Sequence, residues 1–270
     1  MAKYRVFTVE MFFSTILYSG EVFYYFVRNR GIYHRTLKEK LNEKSIRGRI
    51  RAYLQKIGMF VIPFFESLGG KKLSMDQKQK LLLAGVLTPL FDDAIESNNL
   101  NQYLAVIKKL PVKLSDPKIN LFSKAYHTLM VGVKDQYAFH QKLQNIVEIE
   151  TVPSSPYKKI EKGSKALQLY AICANLEINE YQNDFIARAG AFFQLIDDIY
   201  DYKIDKNKGI ETLPIILRNE NKKLVKFLNL LFLRLIQHPV LNCLPNKNKK
   251  TIEGMLFLLY CLAIVRIKIS

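Results

Sequence analysis

Apolar residues recur at helical spacing along most of this chain, and strand-like alternation is nearly absent. One apolar stripe repeats every three or four residues and comprises Ile46, Ile50, Tyr53, Ile57 and Phe60. A basic stripe accompanies it, at Lys40, Lys44, Arg47 and Arg51. The pattern predicts an all-α fold, in which this helix packs one side on the core and exposes the other.

A second helix is predicted from Ser74, because Ser74 and Gln77 have the form of a capping box before an apolar run. This run ends in an acidic cluster, which comprises Asp92, Asp93 and Glu96. Pro89 is expected to bend the helix just before these acids. Carboxylates at a helix C-terminus oppose the macrodipole, so their position suggests a role other than stability.

A third segment, from Ala191 to Pro214, spaces carboxylates at four-residue intervals. They are Asp197, Asp201 and Asp205, with Asp198 beside the first. On a helix this spacing stacks like charges along one face, and they repel unless cations lie between them. The interleaved apolar residues indicate a buried helix, and buried carboxylates require pairing or a metal. The pattern therefore predicts a divalent-metal site.

Composition favours a single α-helical domain spanning residues 1–270. The chain is 49% hydrophobic, and its 12 glycines and 9 prolines are too few for a turn-rich β architecture. Small residues at Ala187, Ala189, Gly190 and Ala191 would let a neighbouring helix approach closely. A loop is predicted from Asp205 to Glu211, and Gly163 marks a candidate helix break.

Together, the two acidic segments resemble the motifs of the class I isoprenoid synthases. This superfamily includes trans-prenyltransferases, class I terpene synthases and the squalene and phytoene synthases. Asp92, Asp93 and Glu96 match its DDxxD/E motif. FQLIDDIYD, from Phe193 to Asp201, is similar to the FQxxDDxxD of prenyltransferases. The set Asp197, Asp201 and Asp205 also has the spacing of the terpene-synthase triad.

The resemblance implies a helical bundle with a central active-site cavity, in which two acidic walls hold three magnesium ions against a substrate diphosphate. Asp92 and Asp197 would be central to catalysis. The implied metal ligands are Asp92, Asp93, Glu96, Asp197, Asp198, Asp201 and Asp205. Basic side chains would complete the diphosphate site, arginine through its planar fork and lysine as a point charge. The candidates are Lys162, Lys165 and Arg188.

The branch of the superfamily stays open at this stage. Chain-elongating prenyltransferases usually carry arginines soon after the first motif, whereas here no basic residue lies between Glu96 and Lys108. The first hypothesis is therefore terpene synthase-like release of diphosphate, followed by cyclisation or rearrangement. Against it, Asp201 stands where terpene synthases have serine or threonine, and the chain has no tryptophan. Prenyl transfer, by chain elongation or squalene/phytoene synthase-like condensation, is the alternative, and a non-catalytic basic helical binding protein is a third.

The net charge is +17, and between Arg28 and Lys56 ten lysines and arginines face two glutamates. Such a segment suits a solvated helix face, steering of an anionic substrate, or peripheral contact with an anionic membrane. Nucleic-acid binding is disfavoured because the sequence contains no recognised zinc, helix-turn-helix or RNA-binding pattern. The sequence leaves membrane contact and a homodimer open.

Cysteine usage favours a cytoplasmic setting. Cys173, Cys243 and Cys261 are odd in number and lack metal-ligand spacing, so they are expected to be reduced thiols. The apolar segments Val6 to Val27 and Met255 to Val265 are interpreted as packed helices, because the first contains two glutamates and the second is too short to span a bilayer.

Overall fold

The computed structural model describes residues 44–97, 99–112, 115–151 and 155–269, and every regular element in these ranges is helical. The α-helices are α1 Lys44–Lys56, α2 Ile62–Leu68, α3 Met75–Glu96, α4 Leu100–Ile107, α5 Pro117–Gly132, α6 Gln136–Thr151, α7 Pro156–Cys173, α8 Glu180–Lys208, α9 Leu213–Ile216, α10 Asn221–Ile236 and α11 Asn246–Ile269. The all-α prediction is confirmed for this part of the chain. The segment Val6 to Val27 and the basic residues before Lys44 lie outside it.

Helices α1 and α2 form one continuous rod through a π-helical turn, Ile57–Val61. In the predicted apolar stripe, Ile46, Ile50 and Ile57 are each at most 2% exposed, while Tyr53 and Phe60 are half-buried. Gly85 of α3 lies against the π-helical turn, where a Cβ atom would stand 2.8 Å from Ile57 Cγ1. The absence of a side chain at Gly85 therefore lets α3 approach the rod closely.

Helices α7 and α8 meet backbone to backbone at Gly163 and Gly190. A Cβ atom on either glycine would lie well inside the van der Waals contact distance of the carbonyl oxygen of the other. The expectation that small residues around Gly190 admit a close neighbour is thus confirmed. The expectation of a helix break at Gly163 is wrong, because α7 continues through it and the glycine serves helix contact rather than a turn.

Helix α8 is 29 residues long and has a defined cap at each end. At its start, Asn179 and Gln182 form a capping box with hydrogen bonds of 2.9 and 3.1 Å. At its end, Gly209 takes the left-handed conformation with φ of 69°. The predicted loop from Asp205 to Glu211 therefore starts too early, because the helix extends to Lys208 and only Gly209 to Glu211 are non-helical.

The buried side chains form one apolar cluster that extends from α1 to α11. Phe192 of α8 lies 6.2 Å, centroid to centroid, from Phe232 of α10, so α10 packs on the central helix. Among the described residues, one stretch, Asn221–Cys243, has the length and mean hydropathy (1.4) of a membrane-crossing helix. Of the 18-residue segment to which this hydropathy refers, 39% is buried in the protein.

Candidate functional site

The first acidic motif occupies the last turns of α3. The helix begins at the predicted capping box, in which the Ser74 and Gln77 hydrogen bonds measure 3.2 and 2.9 Å. It continues past Pro89 without interruption, so the proline lies within the helix. Asp92 and Asp93 are largely withdrawn from solvent, with side chains 15% and 19% exposed. The acids thus stand at the end of a buried helix, as the sequence predicts.

The second acidic motif lies along the C-terminal half of α8, where four-residue spacing places Asp197, Asp201 and Asp205 on one face. Asp198 points to a different side of the helix and is only 6% exposed. Gln194 donates a hydrogen bond of 2.8 Å to Asp198 Oδ1. Asp198 Oδ2 is buried and has no hydrogen-bond partner in the described part of the chain.

Helix α1 connects the two acidic motifs. The Tyr53 hydroxyl donates to Asp92 Oδ2 at 3.1 Å, and one turn later Lys56 forms an ion pair with Asp197. One turn before Tyr53, Arg49 forms an ion pair with Asp93. Because three side chains of one helix face contact both motifs, the two sets of carboxylates face the same space.

Two further lysines bind the α3 carboxylates from other elements. Lys208, in the last turn of α8, contacts Glu96 Oε2 of α3 at 2.6 Å, which joins the two acidic walls directly. Lys118, at the start of α5, lies 3.7 Å from Asp93 Oδ2. Asp93 and Glu96 of the α3 motif therefore each have at least one cationic partner.

Lys162 of α7 is the predicted diphosphate ligand that the structure brings to the acids. Its ammonium lies 3.0 Å from Asp92 Oδ1 and also pairs with Glu150 of α6. Burial alone would lower the pKa of Lys162, but the attraction of Asp92 and Glu150 outweighs it and raises this pKa above its usual value. Lys162 is therefore a fixed positive charge at the edge of the acidic space.

The other two predicted diphosphate ligands have neighbours other than these acids. Lys165 lies near Lys142, whose pKa is lowered by burial and further by the charge of Lys165. Arg188 donates a 2.8 Å hydrogen bond to Asp184 and lines a separate cavity of about 160 Å³, together with Ser164 and Arg234. Arg188 precedes Asp197 by nine residues, or two and a half helical turns, so it faces away from the acidic stripe.

Three carboxyl groups in the C-terminal half of α8 have pKa values above their usual range. Burial and the neighbouring charges of Asp197 and Asp205 raise the pKa of Asp198 to about 7. Burial and the charges of Asp201 and Asp197 raise the pKa of Asp205 to about 6. The pKa of Asp201 is raised as well, by burial and by Asp197. Burial is the largest cause of all three shifts, and repulsion between neighbouring carboxylates adds to it.

Two buried tyrosine side chains lie near the acids. The Tyr170 hydroxyl of α7 lies 2.7 Å from Thr88 Oγ1 of α3. Burial raises the pKa of Tyr170, and the nearby charges of Asp92 and Asp197 add to the effect. The pKa of Tyr53 is raised by the same causes. Both hydroxyl groups therefore stay protonated at neutral pH and act as neutral hydrogen-bonding groups.

The donor set suits magnesium, which prefers hard oxygen ligands and keeps several waters. The orphaned Asp198 Oδ2 supports this fit, because a buried anionic oxygen without a partner is costly and a bound cation would satisfy it. Among the described residues, no group of three or more His, Cys, Asp or Glu side chains is placed to hold one ion together. The carboxylates would therefore contribute one or two ligands per ion, with water and substrate oxygens completing the shell.

Comparison with known proteins gives no relative: no family model, curated protein or solved structure matches this chain.

Proposed function

We propose that this protein is a magnesium-dependent enzyme of isoprenoid biosynthesis that ionises an allylic prenyl diphosphate in the manner of class I terpene synthases. In this proposal, residues 1–270 form one domain, a helical bundle of the class I terpenoid synthase type with its cavity between the two acidic walls. The observation that carries the proposal is the convergence of α3 and α8 carboxylates on one space, joined by the ion pair of Lys208 and Glu96.

The carboxylates would hold the metal. Asp92, Asp93 and Glu96 belong to one wall and Asp197, Asp201 and Asp205 to the other, with Asp198 behind the second. Magnesium, when bound, supplies positive charge that neutralises the diphosphate oxygens as the leaving group departs. Once magnesium occupies the carboxylates, the lysines and the arginine that now pair with them would be free to bind the substrate. Each of these basic side chains can replace its carboxylate partner by a phosphate oxygen.

The residues around the acids suit an ionisation step. Ionisation breaks the bond between the allylic carbon and a diphosphate oxygen, and both electrons leave with the diphosphate. Lys162 is anchored between Asp92 and Glu150, so it presents a positive charge without needing to move. Tyr53 and Tyr170 are buried and would help to exclude water from the reaction site. Water would otherwise react with the carbocation and give an alcohol.

Prenyl transfer is the second candidate, and two observations favour it. The buried Asp198 with its neighbour Gln194 occupies the positions that define the FQxxDDxxD motif of prenyltransferases. Arg49, Lys56 and Lys118 also surround the acids, so basic side chains for a second diphosphate come from α1 and α5 instead of from the residues after Glu96. These cations would take the role of the arginines that prenyltransferases usually carry after the first motif.

One experiment separates the candidates. The protein is incubated with magnesium and geranyl, farnesyl or geranylgeranyl diphosphate, with and without isopentenyl diphosphate, and released diphosphate and organic products are measured. Diphosphate release without isopentenyl diphosphate supports the terpene synthase proposal, whereas a longer diphosphate formed only in its presence supports prenyl transfer. The absence of turnover in every combination contradicts both and favours the non-catalytic alternative.

Substitutions in the two acidic walls test whether these carboxylates are required for turnover. Asp92→Asn and Asp197→Asn remove a charge from each wall and should each lower turnover by a factor of about a hundred or more, because transition-state charge stabilisation is lost. Asp184→Asn is the matched control, since Asp184 lies on α8 but pairs with Arg188 and His238 away from the site. Full activity in either wall variant would contradict the metal assignment at that position.

A further inference from the structure

The outward face of α11 is apolar over its last three turns. Leu262, Val265 and Ile269 are 43%, 53% and 75% exposed. Leu258 and Cys261 are half-buried and continue the same stripe, because residues three and four apart share one side of a helix. A helix on a fully solvated surface normally carries polar residues on this side.

Helix α10 widens this apolar surface. Asn221 Nδ2, at its start, donates to Ile267 O near the end of α11 at 3.3 Å, and the Phe232 ring stacks on Tyr260 with centroids 4.5 Å apart. These contacts set the two helices side by side and antiparallel, so their outward sides adjoin. Leu230 and Leu233 of α10 are 43% and 40% exposed. The α10–α11 face is defined here as Leu230, Leu233, Leu258, Leu262, Val265 and Ile269.

The two helices that carry this face are strongly basic. Together they contain nine lysines and arginines and one acidic residue, Glu253. Lys222 and Lys226 at the start of α10 and Lys268 at the end of α11 are exposed, and the contact of Asn221 with Ile267 brings these ends together. An apolar surface bordered by lysines is complementary to a layer of anionic headgroups over hydrocarbon. A second copy of the chain would instead bring like charges together.

We propose that the α10–α11 face docks on the surface of an anionic lipid bilayer, with its apolar side chains in the headgroup and upper acyl region and its lysines on the lipid phosphates. The core-facing side of α10 indicates that this helix would lie on the bilayer instead of crossing it. Leu224, Leu228 and Leu235 are each at most 4% exposed and pack in the core. A crossing helix would lose this packing. The proposal is independent of the proposed function.

Vesicle binding of the full chain tests the proposal. Purified protein is mixed with sucrose-loaded vesicles of phosphatidylcholine alone, or of phosphatidylcholine with phosphatidylglycerol, and the bound fraction is measured by sedimentation. We expect the wild-type protein to bind the anionic vesicles and to be released by salt. Leu262→Ser combined with Val265→Ser should weaken binding about tenfold or more, because two apolar side chains no longer enter the bilayer.

Two matched controls locate the effect. Val131→Ser changes a valine of α5 that is 89% exposed, and it should leave vesicle binding unchanged. Lys222→Gln combined with Lys226→Gln should weaken binding to anionic vesicles by about tenfold and leave binding to neutral vesicles unchanged. Circular dichroism verifies that each variant is folded, and Ile269→Ser, in the last residue of α11, offers a second apolar variant that leaves the core untouched.

Three results would overturn the proposal. The first is a wild-type protein that does not bind anionic vesicles. The second is equal binding by the wild-type protein and the folded Leu262→Ser, Val265→Ser variant, since docking would then use another part of the chain. The third is a wild-type dimer in light scattering that the same variant converts to a monomer without a change in vesicle binding, since the face would then bind a second copy.

Discussion

The buried carboxyl group of Asp198 should destabilise the protein when no metal is bound, and replacing it by Asn should stabilise the fold. Asp198 is 6% exposed, and one of its oxygens has no partner among the described residues. Its pKa is raised from 3.8 to about 7, and each pKa unit corresponds to about 1.4 kcal/mol. Ionising Asp198 in the folded protein therefore costs about 4 kcal/mol relative to the unfolded chain.

Asp198→Asn keeps the shape of the side chain and its bond from Gln194 but removes the charge. The amide nitrogen still needs an acceptor, so the gain in the free energy of unfolding should be smaller, about 1–3 kcal/mol at pH 8. The effect depends on pH with a defined sign. Because the folded pKa lies above the unfolded one, the folded protein binds the extra proton, and the stability of the wild-type protein falls as pH rises from about 4 to about 7. The advantage of Asn should accordingly vanish near pH 5.

The assay is urea unfolding of the wild-type protein and of Asp198→Asn at pH 5 and pH 8, in EDTA, followed by circular dichroism. The free energies of unfolding should differ at pH 8 and converge at pH 5. Equal stability at pH 8, or the same gain at both pH values, would refute the argument that an uncompensated charge at Asp198 destabilises the fold. Asp184→Asn is the control, since hydrogen bonding from His238 lowers the pKa of Asp184 and its charge should be stabilising.

Three further predictions concern packing, ion pairing and metal. Gly163→Ala should lower the free energy of unfolding by about 1–3 kcal/mol in urea titrations, because its Cβ atom would collide with the backbone at Gly190; Gly48→Ala, with no atom within 4 Å of the added Cβ, should be neutral or stabilising. Lys162→Met should cost about 2 kcal/mol or more in the same measurement, since it leaves two carboxylates unpaired, whereas Lys165→Met should cost much less. Magnesium with pyrophosphate should raise the wild-type Tm by about 2–4 °C at tenfold excess over its Kd.

Each of these predictions has a contradicting outcome. A Gly163→Ala variant as stable as the wild-type protein would mean that α7 and α8 are farther apart than described. Equal losses for the Lys162 and Lys165 variants would mean that the ion pairs of Lys162 add no stability. A Tm that magnesium and pyrophosphate raise equally in wild-type and Asp197→Asn proteins would remove Asp197 from the metal site.

The helices and the acidic motifs could be predicted from sequence because they depend on local spacing. The Ser74 capping box and the four-residue interval of Asp197, Asp201 and Asp205 are properties of single segments, and both are present in the structure. The end of α8 was predicted wrongly at Asp205. Lys206 and Lys208 favour a helical C-terminus, and the left-handed cap at Gly209 stops the helix only after them.

The partners of the acids could not be predicted in the same way, because they come from helices distant in sequence. Arg49 contacts a residue 44 positions away and Lys56 one 141 positions away. Arg49, Tyr53 and Lys56 do share one face of α1, a signal that the sequence contains, but the acids that this face meets depend on how α1 packs on α3. Similarly, a glycine such as Gly163 is expected both at a helix break and at a close contact between helices. The sequence does not distinguish the two, because the contact depends on Gly190 of another helix.

The ion pairs change what the acidic stripe implies. Like charges at four-residue intervals suggest a metal only if no protein cation neutralises them, and here Lys56 neutralises Asp197 while Lys208 joins the two walls. The stripe is therefore compatible with a purely structural network of ion pairs. Asp198 lies outside that network, because it is the most buried acid of α8, keeps an oxygen without a partner among the described residues, and has a pKa raised to about 7 despite the nearby charge of Lys162. The case for a cation at this site is strongest at the residue that the four-residue pattern omits.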